Sequence, residues 1–277
     1  MKVASCGTEL REILKSSPGL GVLVPTMGAF HPGHISLMHK AREIAGPLGT
    51  VVVSIFVNPI QFDRASDLAA YPRPMDSDLA ECKAAGVDAV FAPDADSMYF
   101  PDRSVTISET LLSRGLCGAS RPGHFDGVCT VVLKLFLLSG CDVAIFGEKD
   151  FQQLAVIRRM VRDLDVPVKI VSCPTVREAD GLAMSSRNVR LTPEQRADAP
   201  RIRKSLKEAT ALLTQEEILA TAKASIEASP LARIDYLSLV DAETLQPVIT
   251  LDRPSVLATA VFYGEVRLID HVAVEPR

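Results

Sequence analysis

The stretch that decides the fold runs from an apolar segment into a turn with two glycines: Val22-Leu23-Val24-Pro25-Thr26-Met27-Gly28-Ala29-Phe30-His31-Pro32-Gly33-His34. Apolar residues recur at helical spacing directly after it, at Leu37, Met38, Ala41, Ile44 and Ala45. The pattern predicts a strand that turns sharply into a helix. The first turn of such a helix offers backbone N–H groups and the positive end of the helix dipole, so we expect an anionic group to bind there.

Two histidines, His31 and His34, stand three residues apart at the start of this helix. Imidazoles in that position can each donate a hydrogen bond to the oxygens of one phosphate. The spacing resembles the HxGH signature of the nucleotidylyltransferase superfamily. Two plainer interpretations stay open at this point: ordinary loop and cap residues, or a zinc site, although the spacing lacks the Glu of a metalloprotease helix.

Length and composition narrow the class of protein. A chain of 277 residues exceeds the usual size of one domain, and 47% hydrophobic residues are ample for a core. A net charge of −4 and a pI near 5.8 give no general attraction to nucleic acid or to an anionic membrane. The six cysteines form no CxxC pair, and no apolar run approaches the roughly 20 residues of a membrane helix. We therefore expect a reduced, soluble, cytoplasmic protein whose partners are neither nucleic acid nor membrane.

Strand and helix patterns alternate up to about residue 174. The run from Val51 to Val57 is typical of a strand buried on both faces, and it predicts parallel pairing with the first strand across a right-handed crossover. Further strands are predicted at 89–91, 143–146 and 168–171, an extended piece at 105–107, and helices at 8–16, 76–85, 131–138 and 151–164. This order predicts an α/β fold with a Rossmann-like, doubly wound parallel sheet of the HxGH nucleotidylyltransferase type.

The pattern changes after Pro174. A charged stretch leads to Thr192-Pro193-Glu194, which is typical of a helix N-cap followed by proline at the first helical position. Helices are then predicted at 199–213 and 216–228, and strands at 234–240, 256–262 and 266–269. Helices followed by strands indicate a smaller α+β domain. We therefore predict two domains, at 1–174 and 175–277.

Candidate functional groups follow the predicted strands. Lys149 comes after the strand at 143–146, and Ser185, Ser186 and Arg187 lie on a loop after the sheet. Together with the two histidines they offer N–H, ammonium, hydroxyl and guanidinium donors, which is the set that a polyphosphate needs. Each group taken alone is more often an ordinary surface or structural residue. The hypothesis therefore depends on their meeting at one edge of the sheet.

Neutral amides form a second candidate group. Asn58 and Gln61 interrupt an otherwise apolar stretch after the second strand, and Gln153 lies in the first turn of a later helix. Amides can hydrogen-bond a small polar substrate without adding another full charge. The plainer interpretation is that Gln61 and Gln153 belong to a loop and a helix surface.

A more specific resemblance rests on an ordered set of motifs: Pro25-Thr26-Met27-Gly28-Ala29 with His31-Pro32-Gly33-His34, Phe56-Val57-Asn58-Pro59-Ile60-Gln61-Phe62, Tyr71-Pro72-Arg73, Arg121-Pro122-Gly123-His124-Phe125, Phe146-Gly147-Glu148-Lys149-Asp150-Phe151-Gln152-Gln153-Leu154, and Asp180-Gly181-Leu182-Ala183-Met184-Ser185-Ser186-Arg187-Asn188. In this order, over nearly the whole chain, they resemble the pantothenate synthetase (pantoate–β-alanine ligase) family. The resemblance implies an enzyme that condenses pantoate with β-alanine, using ATP, to give pantothenate, AMP and pyrophosphate through a pantoyl adenylate.

The resemblance also implies roles for particular residues. The implied catalytic residues are His31, His34, Lys149, Ser185, Ser186 and Arg187, the last three in a KMSKS-like loop that clamps the β and γ phosphates. The implied ATP-binding residues are Met27, His34, Gly147, Lys149, Asp150, Val176, Met184, Ser185 and Arg187. The residues implied to bind pantoate are Gln61, Gln153 and Asn58.

Several further expectations accompany the family. Mg²⁺ is expected to bridge the ATP phosphates, with Asp78 as its candidate protein ligand. The second domain is expected to close as a lid that keeps water from the adenylate, and the first domain is expected to form a homodimer. Cys117 stands where the family pattern leads us to expect an acidic residue.

Three other functions stay open from the sequence. Another HxGH nucleotidylyltransferase, making a dinucleotide or a CDP-alcohol, would leave 58–62 and 121–125 without a role. A fragment of an aminoacyl-tRNA synthetase would need a large basic surface, which the net charge of −4 disfavours. A non-catalytic nucleotide-binding regulator would bind ATP without turnover, which the two histidines and Lys149 argue against.

Overall fold

The computed structural model describes residues 1–277 and divides into two compact units. The first unit comprises residues 1–109, 122–148 and 156–174, and the second comprises 110–121, 149–155 and 175–277. Two short segments that precede residue 175 therefore group with the second unit. The second of these segments contains Lys149 and Gln153.

Nine strands and eleven α-helices make up the chain. The strands are β1 (Lys2–Ala4), β2 (Gly21–Thr26), β3 (Thr50–Ile55), β4 (Ala89–Phe91), β5 (Val143–Gly147), β6 (Lys169–Cys173), β7 (Ala232–Asp241), β8 (Ser255–Tyr263) and β9 (Val266–Val274). The helices are α1 (Gly7–Lys15), α2 (Pro32–Ala45), α3 (Ala65–Ala69), α4 (Met75–Ala84), α5 (Ala95–Met98), α6 (Cys117–Ser120), α7 (His124–Ser139), α8 (Phe151–Asp163), α9 (Pro193–Asp198), α10 (Arg201–Ala209) and α11 (Gln215–Glu227). Short 3-10 helices lie at Pro59–Gln61, Glu148–Asp150 and Asn188–Arg190.

The first unit is built on a six-stranded sheet in the order β1-β4-β3-β2-β5-β6, in which every pair is parallel. The α/β prediction is thereby confirmed. Strand β1 was not predicted, because three residues at a sheet edge carry no readable pattern. The extended piece predicted at 105–107 was wrong as a strand, since the Ile107 N–H donates to the Thr130 hydroxyl at 3.0 Å and not to a strand ladder.

Both faces of this sheet are covered. Val22 and Val24 of β2 share a buried cluster with Leu37 and Met38 of α2. Leu23, which points the opposite way along the strand, is fully buried on the face where α7 contacts β2. Two-sided burial explains why the strands read as continuous apolar runs in the sequence.

The strand order reverses between β2 and β5. From β2 the chain proceeds to β3 and β4 on one side and then returns to place β5 on the other side. Leu23 is in register with Ala144, so the carboxyl ends of the two strands, at Thr26 and Gly147, are neighbours. Ligands of open α/β sheets bind at such a switch point. We therefore expect a ligand to bind near the residues that follow β2 and β5.

The second unit carries an antiparallel sheet in the order β7-β8-β9. Helices α10 and α11 pack on it through Ile202, Leu206, Ile218 and Ile226. The predicted helix at 199–213 is shorter, because Pro200 separates α9 from α10. None of the helices in the chain combines the length and the apolar character needed to cross a bilayer.

Candidate functional site

The turn between β2 and α2 is held by a buried carboxylate. Gly28 and Ala29 have φ angles of 77° and 53°, a region that an alanine occupies only at a cost. Asp78 of α4, which is 2% exposed, accepts hydrogen bonds from the N–H groups of Ala29 at 2.8 Å and Phe30 at 2.9 Å. A Cβ at residue 28 would lie 2.7 Å from Asp78 Oδ2, so only glycine fits there. Asp78 thus fixes the path of the chain into the helix.

Several backbone N–H groups at this turn already have internal acceptors. The Gly33 N–H donates to His31 Nδ1 at 3.1 Å, and the His34 N–H donates to the His31 carbonyl at 2.8 Å. The N–H groups of Ala29 and Phe30 are bound by Asp78. These four N–H groups are therefore occupied within the chain, and side chains are the better candidates for binding an anion here.

The two histidines lie side by side at the start of α2. Their ring centroids are 4.1 Å apart, and both side chains are half-buried. Because His31 Nδ1 accepts from the Gly33 N–H, the neutral ring carries its proton on Nε2. The helix dipole adds a favourable potential for a negative charge at this end. The pair is suited to hydrogen-bonding an anion.

The structure also brings three predicted ligand-binding side chains together. The Asn58 amide donates to Gln61 Oε1 at 2.9 Å, and Gln61 Nε2 lies 3.3 Å from the Met27 sulfur. Asn58 is 1% exposed and Gln61 is 9% exposed, so Asn58 lies beneath Gln61. Met27 directly follows β2. The Gln61 amide therefore lies next to the carboxyl end of a central strand.

No group of three or more His, Cys, Asp or Glu side chains is arranged to hold a metal ion. Both oxygens of Asp78 accept hydrogen bonds from the turn. The role of Asp78 as a magnesium ligand stays a prediction.

In the second unit, Lys149 and Asp150 lie in the 3-10 helix that follows β5. Lys149 Nζ is 3.7 Å from Asp150 Oδ1, which is longer than a hydrogen bond. The ion pair is therefore loose, and the ammonium retains the capacity to bind a stronger anion.

Gln152 anchors the start of α8. It is 5% exposed, its Nε2 donates to the carbonyls of Leu112 and Gly115, both at 2.8 Å, and its Oε1 accepts from the Cys117 N–H at 2.9 Å. Neighbouring helix residues point about 100° apart. The clamp on Gln152 therefore also fixes the direction of the half-buried Gln153.

The Cys117 thiol lies against two polar groups. Its sulfur is 3.4 Å from the Tyr236 hydroxyl and 3.5 Å from Arg267 Nη1. Arg267 also donates to Asp235 at 2.7 Å. Arg267 thus has a carboxylate partner in Asp235 and also contacts the Cys117 thiol, which stands where an acidic residue was expected.

The loop that contains Ser185, Ser186 and Arg187 follows a hairpin-like segment at 176–184. The Met184 N–H donates to the Val176 carbonyl at 3.0 Å, so two predicted ATP-binding residues are adjacent. The Arg187 N–H donates to the Ser185 hydroxyl at 3.2 Å. Both serines and Arg187 are half-buried.

Ion pairs brace the first arm of this segment, residues 177–180. Arg177 donates two hydrogen bonds to Asp270, at 2.7 and 2.8 Å. Arg196 donates to Glu178 and, at 2.6 Å, to Asp180. The hydrogen bond from Arg196 holds the pKa of Asp180 below its usual range. These braces were not predicted, because their partners are distant in the sequence.

The predicted residues are distributed over both units. Those in the first unit are Met27, His31, His34, Asn58, Gln61, Asp78 and Gly147. Those in the second unit are Lys149, Asp150, Gln153, Val176, Met184, Ser185, Ser186 and Arg187. That the two histidines, Lys149 and the loop at 185–187 surround one triphosphate stays a prediction.

Comparison with known proteins identifies relatives over the whole length. The family model described as pantoate-beta-alanine ligase matches residues 2–273. A pantothenate synthetase from Akkermansia muciniphila is 55% identical over 255 residues, which cover 91% of each chain. A pantothenate synthetase from Ruminiclostridium cellulolyticum is 46% identical over 284 residues and covers 100% of both.

Solved structures agree with these relatives. The crystal structure of pantothenate synthetase from Thermus thermophilus has a TM-score of 0.92 and 43% identity, with 100% of each chain covered. Pantoate-beta-alanine ligase from Francisella tularensis, complexed with beta-gamma ATP and beta-alanine, has a TM-score of 0.82 and 34% identity over 98% of this chain and 97% of that one. The chain therefore belongs to the pantoate–β-alanine ligase family.

Proposed function

We propose that this chain catalyses the ATP-dependent condensation of pantoate with β-alanine to pantothenate. The observation that carries the proposal is the pair of adjacent imidazoles, His31 and His34, at the end of β2 beside the switch point, in a chain of this family. A phosphate held there would be contacted by N–H donors in the field of the α2 dipole.

The proposed reaction has two steps. A carboxylate oxygen of pantoate attacks the α-phosphorus of ATP, and the bond to the bridging oxygen breaks to release pyrophosphate. The amine of β-alanine then attacks the acyl carbon of the adenylate. AMP leaves and the amine loses a proton, which gives the amide. Positioning and charge neutralisation are the main demands of such transfers.

Residues of the first unit are assigned to phosphate and pantoate. His31 and His34 contact ATP phosphate and stabilise the charge that develops during adenylation. Gln61 binds an oxygen of pantoate, and Asn58 supports it from beneath. Gly147 lies under the nucleotide, where its missing side chain leaves room, since a Cβ there would meet nothing within 4 Å.

Residues of the second unit are assigned to the nucleotide and to the remaining pantoate contact. Lys149 neutralises charge on the transferring phosphate, Asp150 binds a ribose hydroxyl, and Gln153 binds pantoate. Val176 and Met184 line the nucleotide site together with Met27. Ser185, Ser186 and Arg187 bind the β and γ phosphates.

Mg²⁺, domain closure, dimer formation and cellular location complete the proposal. Mg²⁺ enters with ATP as part of the nucleotide substrate. The domain at 175–277 closes over the 1–174 domain when ATP and pantoate bind, which X-ray scattering with both ligands would detect as a smaller radius of gyration. We also propose a homodimer through the first domain and a cytoplasmic location, where ATP is available.

Product analysis tests the overall reaction. Purified protein with MgATP, pantoate and β-alanine should form pantothenate, AMP and pyrophosphate in equal amounts, measured by chromatography. The Gln61→Ala variant should raise the KM for pantoate more than the KM for ATP. Formation of ADP and phosphate, or no pantothenate from well-folded protein, would contradict the proposal.

A further inference from the structure

A backbone carbonyl sets the orientation of the buried amides around Gln61. Asn58 Nδ2 donates to the Gly127 carbonyl at 3.1 Å and to Gln61 Oε1 at 2.9 Å. A carbonyl can only accept, so the Asn58 atom that faces it must be the amide nitrogen. The Gln61 atom that faces the same nitrogen must then be Oε1. The Gln61 nitrogen is therefore turned the other way, toward Met27.

Tyr99 reinforces the same orientation from below. Its hydroxyl donates to Asn58 Oδ1 at 2.7 Å, so all hydrogen-bonding atoms of the Asn58 side chain have partners. Burial raises the pKa of the Tyr99 phenol, which keeps it protonated and able to donate. Because Asn58 is only 1% exposed, reversing the Asn58 amide would leave buried donors facing donors and acceptors facing acceptors.

The backbone of Gln61 is fixed by the same part of α7. His124 Nδ1 lies 2.8 Å from the Gln61 carbonyl oxygen. A Cβ at Gly127 would lie 2.5 Å from the Ile60 carbonyl oxygen and 2.7 Å from Gln61 Cα, so glycine is required for this close approach. The first turn of α7 therefore holds Gln61 through both its main chain and, by way of Asn58, its side chain.

We propose that Tyr99 is a positioning residue which, through Asn58, fixes the Gln61 amide with its N–H group toward the substrate. Gln61 then recognises an acceptor oxygen of the substrate, a carboxylate or hydroxyl oxygen, and discriminates against a donor at that place. The inference rests on the proposed role of Gln61 in binding pantoate. Tyr99 lies one residue after α5 and was not among the predicted site residues.

A double-mutant cycle tests this inference. Pantoate-dependent exchange of pyrophosphate into ATP is measured for wild type, Tyr99→Phe, Gln61→Ala and the double variant. Loss of the Tyr99 hydroxyl should raise the KM for pantoate about tenfold, the worth of one hydrogen bond, while the KM for ATP stays within about twofold. In the Gln61→Ala background, Tyr99→Phe should have no further effect.

The matched control is Tyr263→Phe in the second unit. Tyr263 is fully buried, and its hydroxyl donates to Asp198 at 3.0 Å, as that of the half-buried Tyr99 donates to Asn58. Tyr263→Phe should lower the thermal stability about as much as Tyr99→Phe does, without changing the KM for pantoate. If Tyr99→Phe fails to fold, Asn58→Asp is the second variant, because it keeps the side-chain size but removes both N–H donors.

The possible results separate this inference from the proposed function. Normal wild-type exchange with an unchanged KM in Tyr99→Phe, or the same increase in both backgrounds, would overturn the inference alone. No pantoate-dependent exchange in wild type would overturn the proposed function and this inference together. A pantoate-specific effect that disappears in Gln61→Ala would support it.

Discussion

The Asp78→Asn substitution probes the turn on which the two histidines depend. It keeps the shape of a side chain that is 2% exposed but replaces one carboxylate oxygen by an N–H₂ group. Both oxygens accept hydrogen bonds, from the N–H groups of Ala29 and Phe30. In the variant, one of these donors faces another donor.

The expected cost follows from those two contacts. A hydrogen bond to a charged acceptor contributes about 1.5–3 kcal/mol, and a buried donor left without an acceptor costs about 1–3 kcal/mol. The terms overlap, so we expect a loss of about 3 kcal/mol in the free energy of unfolding. When the new N–H₂ group faces Ala29, that residue, at a φ of 53°, also loses the contact that holds it in a strained conformation.

Urea unfolding measures the stability, and pantoate-dependent pyrophosphate exchange measures the effect on adenylation. Asp76→Asn is the matched control, because Asp76 is exposed in the first turn of the same helix, and its loss should cost less than about 1 kcal/mol. Equal stability of the two variants would refute the reasoning. A higher Mg²⁺ requirement with unchanged stability would instead favour Asp78 as a metal ligand.

Three further predictions concern the assigned residues. Gly147→Ala should leave the free energy of unfolding unchanged, because the added Cβ meets no protein atom within 4 Å. It should raise the KM for ATP roughly tenfold in steady-state assays, because the added methyl group would crowd the nucleotide. His34→Ala and Lys149→Ala should each slow adenylation by about 10² in single-turnover measurements with the fold intact by circular dichroism; a rate within a few-fold of wild type would argue against these roles. The hydrogen bond from Arg196 holds the pKa of Asp180 below its usual range, so this ion pair stabilises the folded chain at and above the usual pKa of an aspartate, and the stabilisation is lost as the pH falls through the lowered pKa. Arg196→Gln should therefore weaken the acid dependence of thermal unfolding, and an unchanged dependence would contradict this.

The sequence was sufficient for five of the six strands of the parallel sheet and for the pairing of the histidines. Apolar runs such as Val51–Ile55 and the turn into α2 have local causes, namely burial on both faces and a glycine, Gly28, at positive φ. The family motifs added the identities of the candidate residues. Strand bounds differed by only a few residues, as at β9, which extends to Val274 where the prediction ended at 269.

Side-chain contacts between residues distant in the sequence could not be predicted from the sequence alone. Asp78 was predicted as a metal ligand from the family resemblance, whereas its contacts with the turn depend on how α4 packs near β2. The role of Tyr99 likewise depends on its hydrogen bond to Asn58, which the sequence does not predict. The hydrogen bonds between Arg177 and Asp270 are between residues 93 positions apart. No local pattern encodes such partners.

The measurement that tests the central claim most directly is the exchange of labelled pyrophosphate into ATP with pantoate present and β-alanine absent. The account predicts rapid exchange that requires pantoate, because the carboxylate must displace pyrophosphate before the amine takes part. Exchange that is independent of pantoate, or that starts only when β-alanine is added, would contradict an adenylate formed at the His31 and His34 pair.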